Sequence, residues 1–248
     1  MPRTHSHLPR VFVTADLAAG GRVTLDHEAA NHLVSVLRLK EGDAAILFNG
    51  RDGAWLAHLT HACKRGAELE IEVQTAHQTP PSDLWFGFAP LKTGRLDYLV
   101  QKATEMGVGT IQPVITDFTQ VRRLKTDKLE AYARGAAEQC EVLTLPTIAT
   151  EIDLRALLAG WRTAHGLRRL IFADEAAPSA PVETISWLAG LPIGALIGPE
   201  GGFSDAERAL LLAQDFVVPI SLGPRILRAD TAAVAALAVV QAIIGDWR

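Results

Sequence analysis

Along the first 77 residues, apolar and polar positions alternate in short runs, and this predicts strands at Arg10–Val13, Arg22–Leu25, Ala44–Phe48, Ala54–Leu59 and Leu69–Val73. In Leu69-Glu70-Ile71-Glu72-Val73 the alternation is strict, so one face belongs to a core and the other to water. Asn49-Gly50-Arg51-Asp52-Gly53 supplies a turn, and one helix is expected from about Glu28 to Leu37. The pattern describes a small β-barrel-like domain over residues 1–77. Gln78-Thr79-Pro80-Pro81-Ser82 reads as a linker, because two successive prolines cannot donate to a ladder. From residue 83 to 248 the period changes. Apolar runs at Leu84–Ala89, Ile111–Val114, Leu170–Ala173, Ala195–Ile197 and Phe216–Ile220 alternate with helical stretches, which predicts an α/β domain with a mostly parallel sheet covered on both faces. Arg95–Met106 carries a stripe of Leu96, Leu99, Val100, Ala103 and Met106 and stops at Gly107. Lys102 and Glu105, near its opposite face, are expected to form an exposed pair of small effect. Asp230 to about Ile244 is apolar on nearly every side, so that helix must bury more than one face, against its own sheet and a second subunit.

A length of 248 residues with 48% hydrophobic positions allows one large or two modest domains. The longest largely apolar stretch, Ala232–Ile244, falls short of the roughly 20 residues a membrane helix needs. Met1–His7 leads into a proline and a strand rather than an apolar leader, so a cytoplasmic protein without a membrane partner is expected. Cys63 and Cys140 lie far apart with no C-x-x-C spacing and read as ordinary thiols, and His5 and His7 read as incidental, so no metal is expected. The net charge of −4 argues against a nucleic-acid partner overall, but Lys92–Arg134 holds eight basic and five acidic residues and is locally +3. Gly107-Val108-Gly109 stands at a helix end before a strand, the reverse of the order a dinucleotide loop requires.

The candidate chemistry lies near the C-terminus. Ile197-Gly198-Pro199-Glu200-Gly201-Gly202-Phe203-Ser204 and Leu222-Gly223-Pro224-Arg225-Ile226-Leu227-Arg228-Ala229-Asp230-Thr231-Ala232 each follow an apolar run and open onto a helical segment. Two such loops at the ends of neighbouring strands make a ligand site. Gly198, Gly201, Gly202 and Gly223 let backbone approach a ligand. Ile220, Leu222 and Leu227 offer apolar surface to a ligand, while Leu196, Pro199, Glu200 and Thr231 complete the candidate binding set. Ser204-Asp205-Ala206-Glu207 has the spacing of a capping box, and Asp230-Thr231 reads as the N-cap of the last helix.

The GPEGG loop followed at this spacing by LG-x-RILR-acid-TA resembles the RsmE family of the SPOUT superfamily. The resemblance extends to Arg10-Val11-Phe12, to His32 through Asp43, and to Lys92 through Val108, so it covers essentially the whole chain. It implies a C-terminal domain with a trefoil knot, an N-terminal PUA-like RNA-binding barrel, a homodimer, and S-adenosylmethionine as cofactor. It also implies methylation of N3 of a uridine in 16S rRNA of the small ribosomal subunit. Another SPOUT activity, on a ribose 2′-OH or a tRNA guanine, and a non-catalytic RNA-binding protein are the alternatives. A methylase acting on N3 must meet the base unpaired, since that proton lies on the pairing edge. Arg228 is the first candidate for polarising the uracil carbonyls; Glu200 and Asp230 are candidate bases. Arg10, Arg38, Lys40, Lys92, Arg95, Arg122 and Arg123 are the candidate RNA contacts. Phe48 and Trp55 are suited equally to stacking on bases and to a core. Two departures from the family pattern remove positive charge: Val142 and Phe118 stand where arginines are usual.

Overall fold

The computed structural model describes residues 7–63, 66–91, 94–121, 123–177 and 181–247. Lys92 and Arg122 lie outside them, as does the side chain of Cys63. The chain divides into two compact units, residues 1–81 with 137–145, and residues 82–136 with 146–248.

The first unit is a five-stranded sheet of β1 (Arg10–Phe12), β2 (Arg22–Leu25), β3 (Ala44–Phe48), β4 (Ala54–Cys63) and β5 (Gly66–Ala76), in the order β1-β3-β4-β5-β2. Only β1 and β3 run parallel. Strict alternation holds at the start of β5: Leu69 and Ile71 are buried while Glu68, Glu70 and Glu72 face solvent. The strand then continues to Ala76, beyond the apolar signal, because its pairing with β4 persists through Ala54. The expected single helix is instead α1 (His27–Asn31), capped by Asp26, followed by a π-helical turn over His32–Val36. Residues 137–145 join this unit through packing. Leu143 and Ala137 bury against Ile46 and Phe48, and the Glu138 carboxylate accepts the Phe12 N–H at 2.9 Å. Val142 packs partly against the same cluster, an apolar use of a position where the resemblance expects arginine.

The second unit is a parallel sheet of β6 (Trp85–Phe88), β7 (Thr110–Ile115), β8 (Thr147–Ile148), β10 (Arg169–Ala173), β11 (Ile193–Ile197) and β12 (Val217–Ile220), in the order β12-β10-β11-β6-β7-β8, with β9 (Ile152–Asp153) paired to β7. Its helices are α2 (Arg95–Glu105), α3 (Thr126–Cys140, whose end belongs to the first unit), α4 (Leu154–His165), α5 (Pro181–Ile185), α6 (Asp205–Leu212) and α7 (Ala229–Ile243). Because side chains on a strand alternate, the sheet has two cores. Phe86, Phe88, Ile171, Ile193, Ala195, Ile197, Val218 and Ile220 bury on one face with α2 and α7, whereas Trp85, Leu170, Phe172 and Leu196 bury on the other with α4 and α6. Lys102 pairs with Glu105 at 2.7 Å on α2.

Helix α7 buries Ala229, Ala233, Ala236, Leu237, Val240 and Gln241. The Gln241 amide is a fastening point, donating to the Met106 carbonyl at 2.6 Å and accepting the Asp246 N–H at 3.0 Å. The N-cap differs from the sequence expectation. Arg228 occupies it without a side-chain cap, and Asp230 lies in the first turn, accepting the Thr231 N–H at 2.8 Å. The helix starts earlier because Ala229 is itself pulled into the core.

Candidate functional site

Strands β10, β11 and β12 lie side by side and end together, so the loops that follow them converge. Between them is a cavity of about 210 Å³, lined by Asp174 and Glu175 after β10, by Gly198–Phe203 after β11, and by Leu222, Gly223 and Arg225–Leu227 after β12. Both glycine loops singled out from the sequence thus face one space, at the carboxyl ends of strands where open α/β sheets bind ligands.

The GPEGG loop is pinned at both ends. Gly198 packs against the Phe203 ring, which stands edge-on to Phe172 at 5.2 Å between centroids. Gly202 (φ 71°) and Gly223 (φ 109°) adopt backbone that disfavours any side chain. Downstream, the expected capping box is formed: the Ser204 hydroxyl accepts the Glu207 N–H at 3.3 Å and the Glu207 carboxylate accepts the Ser204 N–H at 3.0 Å. Glu207 is fully buried and also accepts the Asp117 N–H at 2.8 Å, while the Ser204 hydroxyl donates to Asp117 at 2.6 Å. Asp117 in turn pairs with Arg155 at 3.2 Å, which raises the guanidinium's pKa through that hydrogen bond and charge. The loop after β7 is thereby locked to the start of α6. Its next residue, Phe118, lies 3.4 Å from where a Gly201 side chain would begin, so an apolar ring borders the loop where the resemblance expects a positive charge.

Two ion pairs border the cavity. Asp174 is 5% exposed and receives Arg208 through Nε at 3.1 Å and Nη2 at 2.9 Å. The hydrogen bond and charge of Asp174 hold Arg208 more firmly protonated. Glu200, on the rim, lies 3.5 Å from the Arg95 guanidinium at the start of α2. The sequence reading missed Asp174, Arg208, Phe172 and Phe203; a pair 34 residues apart leaves no local spacing to detect.

Of the predicted binding residues, Gly198, Pro199, Glu200, Gly201, Gly202, Leu222, Gly223 and Leu227 line the cavity. The side chains of Leu196 and Ile220 do not reach it: both are fully buried in the sheet's cores, Ile220 because the alternation of β12 turns it toward α7. Thr231 is exposed on the first turn of α7 and outside the lining. Arg228 is also exposed and outside the lining, between Leu227 and Ala229, which both belong to it. Among the candidate RNA contacts, Arg38, Lys40 and Arg123 are exposed. Arg38 follows the π-helical turn at φ 59°, an uncommon conformation for a residue with a side chain. Arg10 is turned inward, its guanidinium 5.3 Å from the Phe48 ring, and burial lowers its pKa. Phe48 is fully buried in a core, which removes it as a surface on which bases stack. Among the described residues no group of three or more acidic, histidine or cysteine side chains forms a metal site.

The fold and the paired loops are those of an RNA methyltransferase: a model of the RNA methyltransferase domain matches residues 78–241, and one of the RNA methyltransferase PUA domain matches residues 25–72. The chain is 32% identical to ribosomal RNA small subunit methyltransferase E of Rickettsia conorii over 94% of both proteins, and 30% identical to that of Synechocystis over 95% of this chain and 78% of the relative. It superimposes on the crystal structure of the Neisseria gonorrhoeae enzyme of that name, bound to S-adenosyl methionine, with a TM-score of 0.84 at 29% identity, covering 98% of this chain and 100% of that one. A methyltransferase from Legionella pneumophila with the same bound cofactor gives 0.83 at 30% identity, over 95% of this chain and 97% of that one. The chain belongs to the ribosomal RNA small subunit methyltransferase E family.

Proposed function

We propose that this protein transfers a methyl group from S-adenosylmethionine to N3 of a uridine in 16S rRNA. The observation that carries this reading is the single cavity enclosed by both glycine loops. The residues present fit the cofactor. Leu222, Leu227 and Ile226 give apolar surface for an adenine, Gly198, Gly202 and Gly223 keep Cβ atoms out of its way, and carboxylates border the space where an ammonium or ribose hydroxyls need acceptors. When bound, the cofactor would supply an electrophilic methyl group with a neutral thioether as its leaving group.

The chain's own residues bind, orient and handle charge. Buried Asp174 and its half-exposed partner Arg208 stiffen the cavity wall, and the Ser204–Glu207–Asp117 network fixes the loop that carries Glu200. Holding reactants in line accounts for much of such a rate. Arg228, exposed between two lining residues, is the group we assign to donate to uracil carbonyls as negative charge develops there. Residues 1–77 act as the RNA-binding domain and residues 83–248 as the catalytic domain, with Arg38, Lys40, Arg95 and Arg123 toward phosphate. The assembly is a cytoplasmic homodimer with the trefoil knot of its superfamily, acting on the small subunit. No helix among the described residues is long and apolar enough to cross a membrane.

The test is titration calorimetry with S-adenosylmethionine, followed by transfer of labelled methyl to small subunits lacking the modification. Binding with transfer supports the reading, and binding absent from the wild-type protein refutes it.

A further inference from the structure

We propose that Glu200 takes the proton from uridine N3, and that Arg95 positions it. This inference rests on the uridine-N3 reading above. Several carboxylates lie near the cavity, and most are already engaged. Asp174 is buried and its oxygens face the Arg208 guanidinium. Glu207 is fully buried behind the loop and accepts two backbone N–H groups. Asp230 lies outside the lining and accepts its neighbour's N–H. Glu175 and Glu200 remain on the rim.

Glu200 differs from Glu175 in being part of the glycine loop itself, and in its partner. A single contact of 3.5 Å from Arg95 Nη1 to Oε1, with the side chains 39% and 37% exposed, holds the carboxylate in place without saturating it. An oxygen can then accept the N3–H of a base brought to the rim. In the step, the N3–H bond breaks, its electron pair stays on N3 to meet the methyl carbon, and the proton passes to the Glu200 carboxylate and from there to solvent. Arg95, at the first position of α2, is a positioning residue that aims the carboxylate.

The experiment compares wild-type, Glu200→Gln, Glu175→Gln, Arg95→Gln and Arg95→Lys proteins. First, the nucleoside made by the wild type is identified by mass spectrometry; a product other than 3-methyluridine sinks the uridine reading and not the placement of Glu200. With that established, Glu200→Gln is expected to lower kcat about 100-fold at neutral pH. Its rate should climb as alkaline pH ionises N3 unaided, with kcat read at saturating cofactor so that any change in cofactor affinity does not enter. A readout without turnover accompanies it: cofactor-free wild type should prefer RNA bearing uridine over 3-methyluridine at the target by about 10-fold, since methylation removes the donor, and Glu200→Gln should lose that preference. Arg95→Gln should show a smaller loss of kcat, partly restored in Arg95→Lys. The proposal is overturned if Glu200→Gln keeps wild-type kcat, if its defect follows lost cofactor affinity without alkaline rescue, or if Glu175→Gln alone shows the pattern.

Discussion

Replacing Gly198 with alanine puts a methyl group where the Phe203 ring now lies. The added Cβ would sit 2.7 Å from Cε2 and 3.0 Å from Cδ2 of that ring, well inside the roughly 3.5–4.0 Å at which carbon atoms attract. The ring cannot turn aside freely, because it stands at 82° to Phe172 with centroids 5.2 Å apart, and Phe172 is 1% exposed. Overpacking of this kind costs about 1–3 kcal/mol, and part of an edge-to-face pairing worth about 0.5–1.5 kcal/mol is lost with it. These contributions overlap, so a total of about 2 kcal/mol is expected, which lowers Tm by about 4–8 °C at this chain length. Scanning calorimetry measures that shift, and titration calorimetry measures a fall of about 10-fold in cofactor affinity, equivalent to about 1.4 kcal/mol, as the displaced ring enters the cavity. Adding Phe203→Leu to Gly198→Ala should recover most of the stability. An unchanged Tm and affinity in Gly198→Ala, or a double variant no better than the single one, would refute the reasoning.

Other outcomes follow from the same structure. Gly202→Ala and Gly223→Ala meet no atom within 4 Å but need backbone at φ 71° and 109°, so each should cost about 1–2 kcal/mol through conformation alone, measured by urea denaturation. Glu207→Ala removes the acceptor of two backbone N–H groups at a fully buried position and should cost about 3 kcal/mol, with Glu207→Gln milder in the same urea series. Burial lowers the His165 pKa, so the folded protein favours neutral imidazole; that stability is present above the unfolded value near 6.5 and is lost as pH falls toward the folded value. His165→Gln should therefore flatten the decline in Tm between about pH 7 and 5. His58 behaves oppositely. Its hydrogen bond to Glu72 raises its pKa, so its contribution is present below the unfolded value and fades as pH rises through the folded one; Glu72→Gln should remove that alkaline loss from the Tm–pH profile.

Much of this architecture is legible in the sequence because it depends on local periodicity. Strand β3 matches the apolar run Ala44–Phe48 to the residue, and Ser204 with Glu207 forms the capping box that their spacing predicts. The two glycine loops are legible for the same reason, each being a contiguous motif after a buried strand. What is not legible depends on contacts between distant segments. The Asp174–Arg208 pair, the edge-to-face Phe172–Phe203 contact and the docking of residues 137–145 on the first unit join positions far apart in the chain, and none leaves a periodic trace. Ile220 shows the limit from the other side. Its apolar character fits a core and an adenine pocket equally, and only the register of β12 assigns it to the core.

The central claim is most directly tested by the identity of the methylated nucleoside. The purified protein is incubated with methyl-labelled S-adenosylmethionine and small ribosomal subunits lacking the modification, and the digested rRNA is analysed by mass spectrometry. Label in 3-methyluridine at a single position is the predicted result. Label in a ribose-methylated nucleoside or a methylguanosine, or no label in rRNA from protein that binds the cofactor, would contradict it.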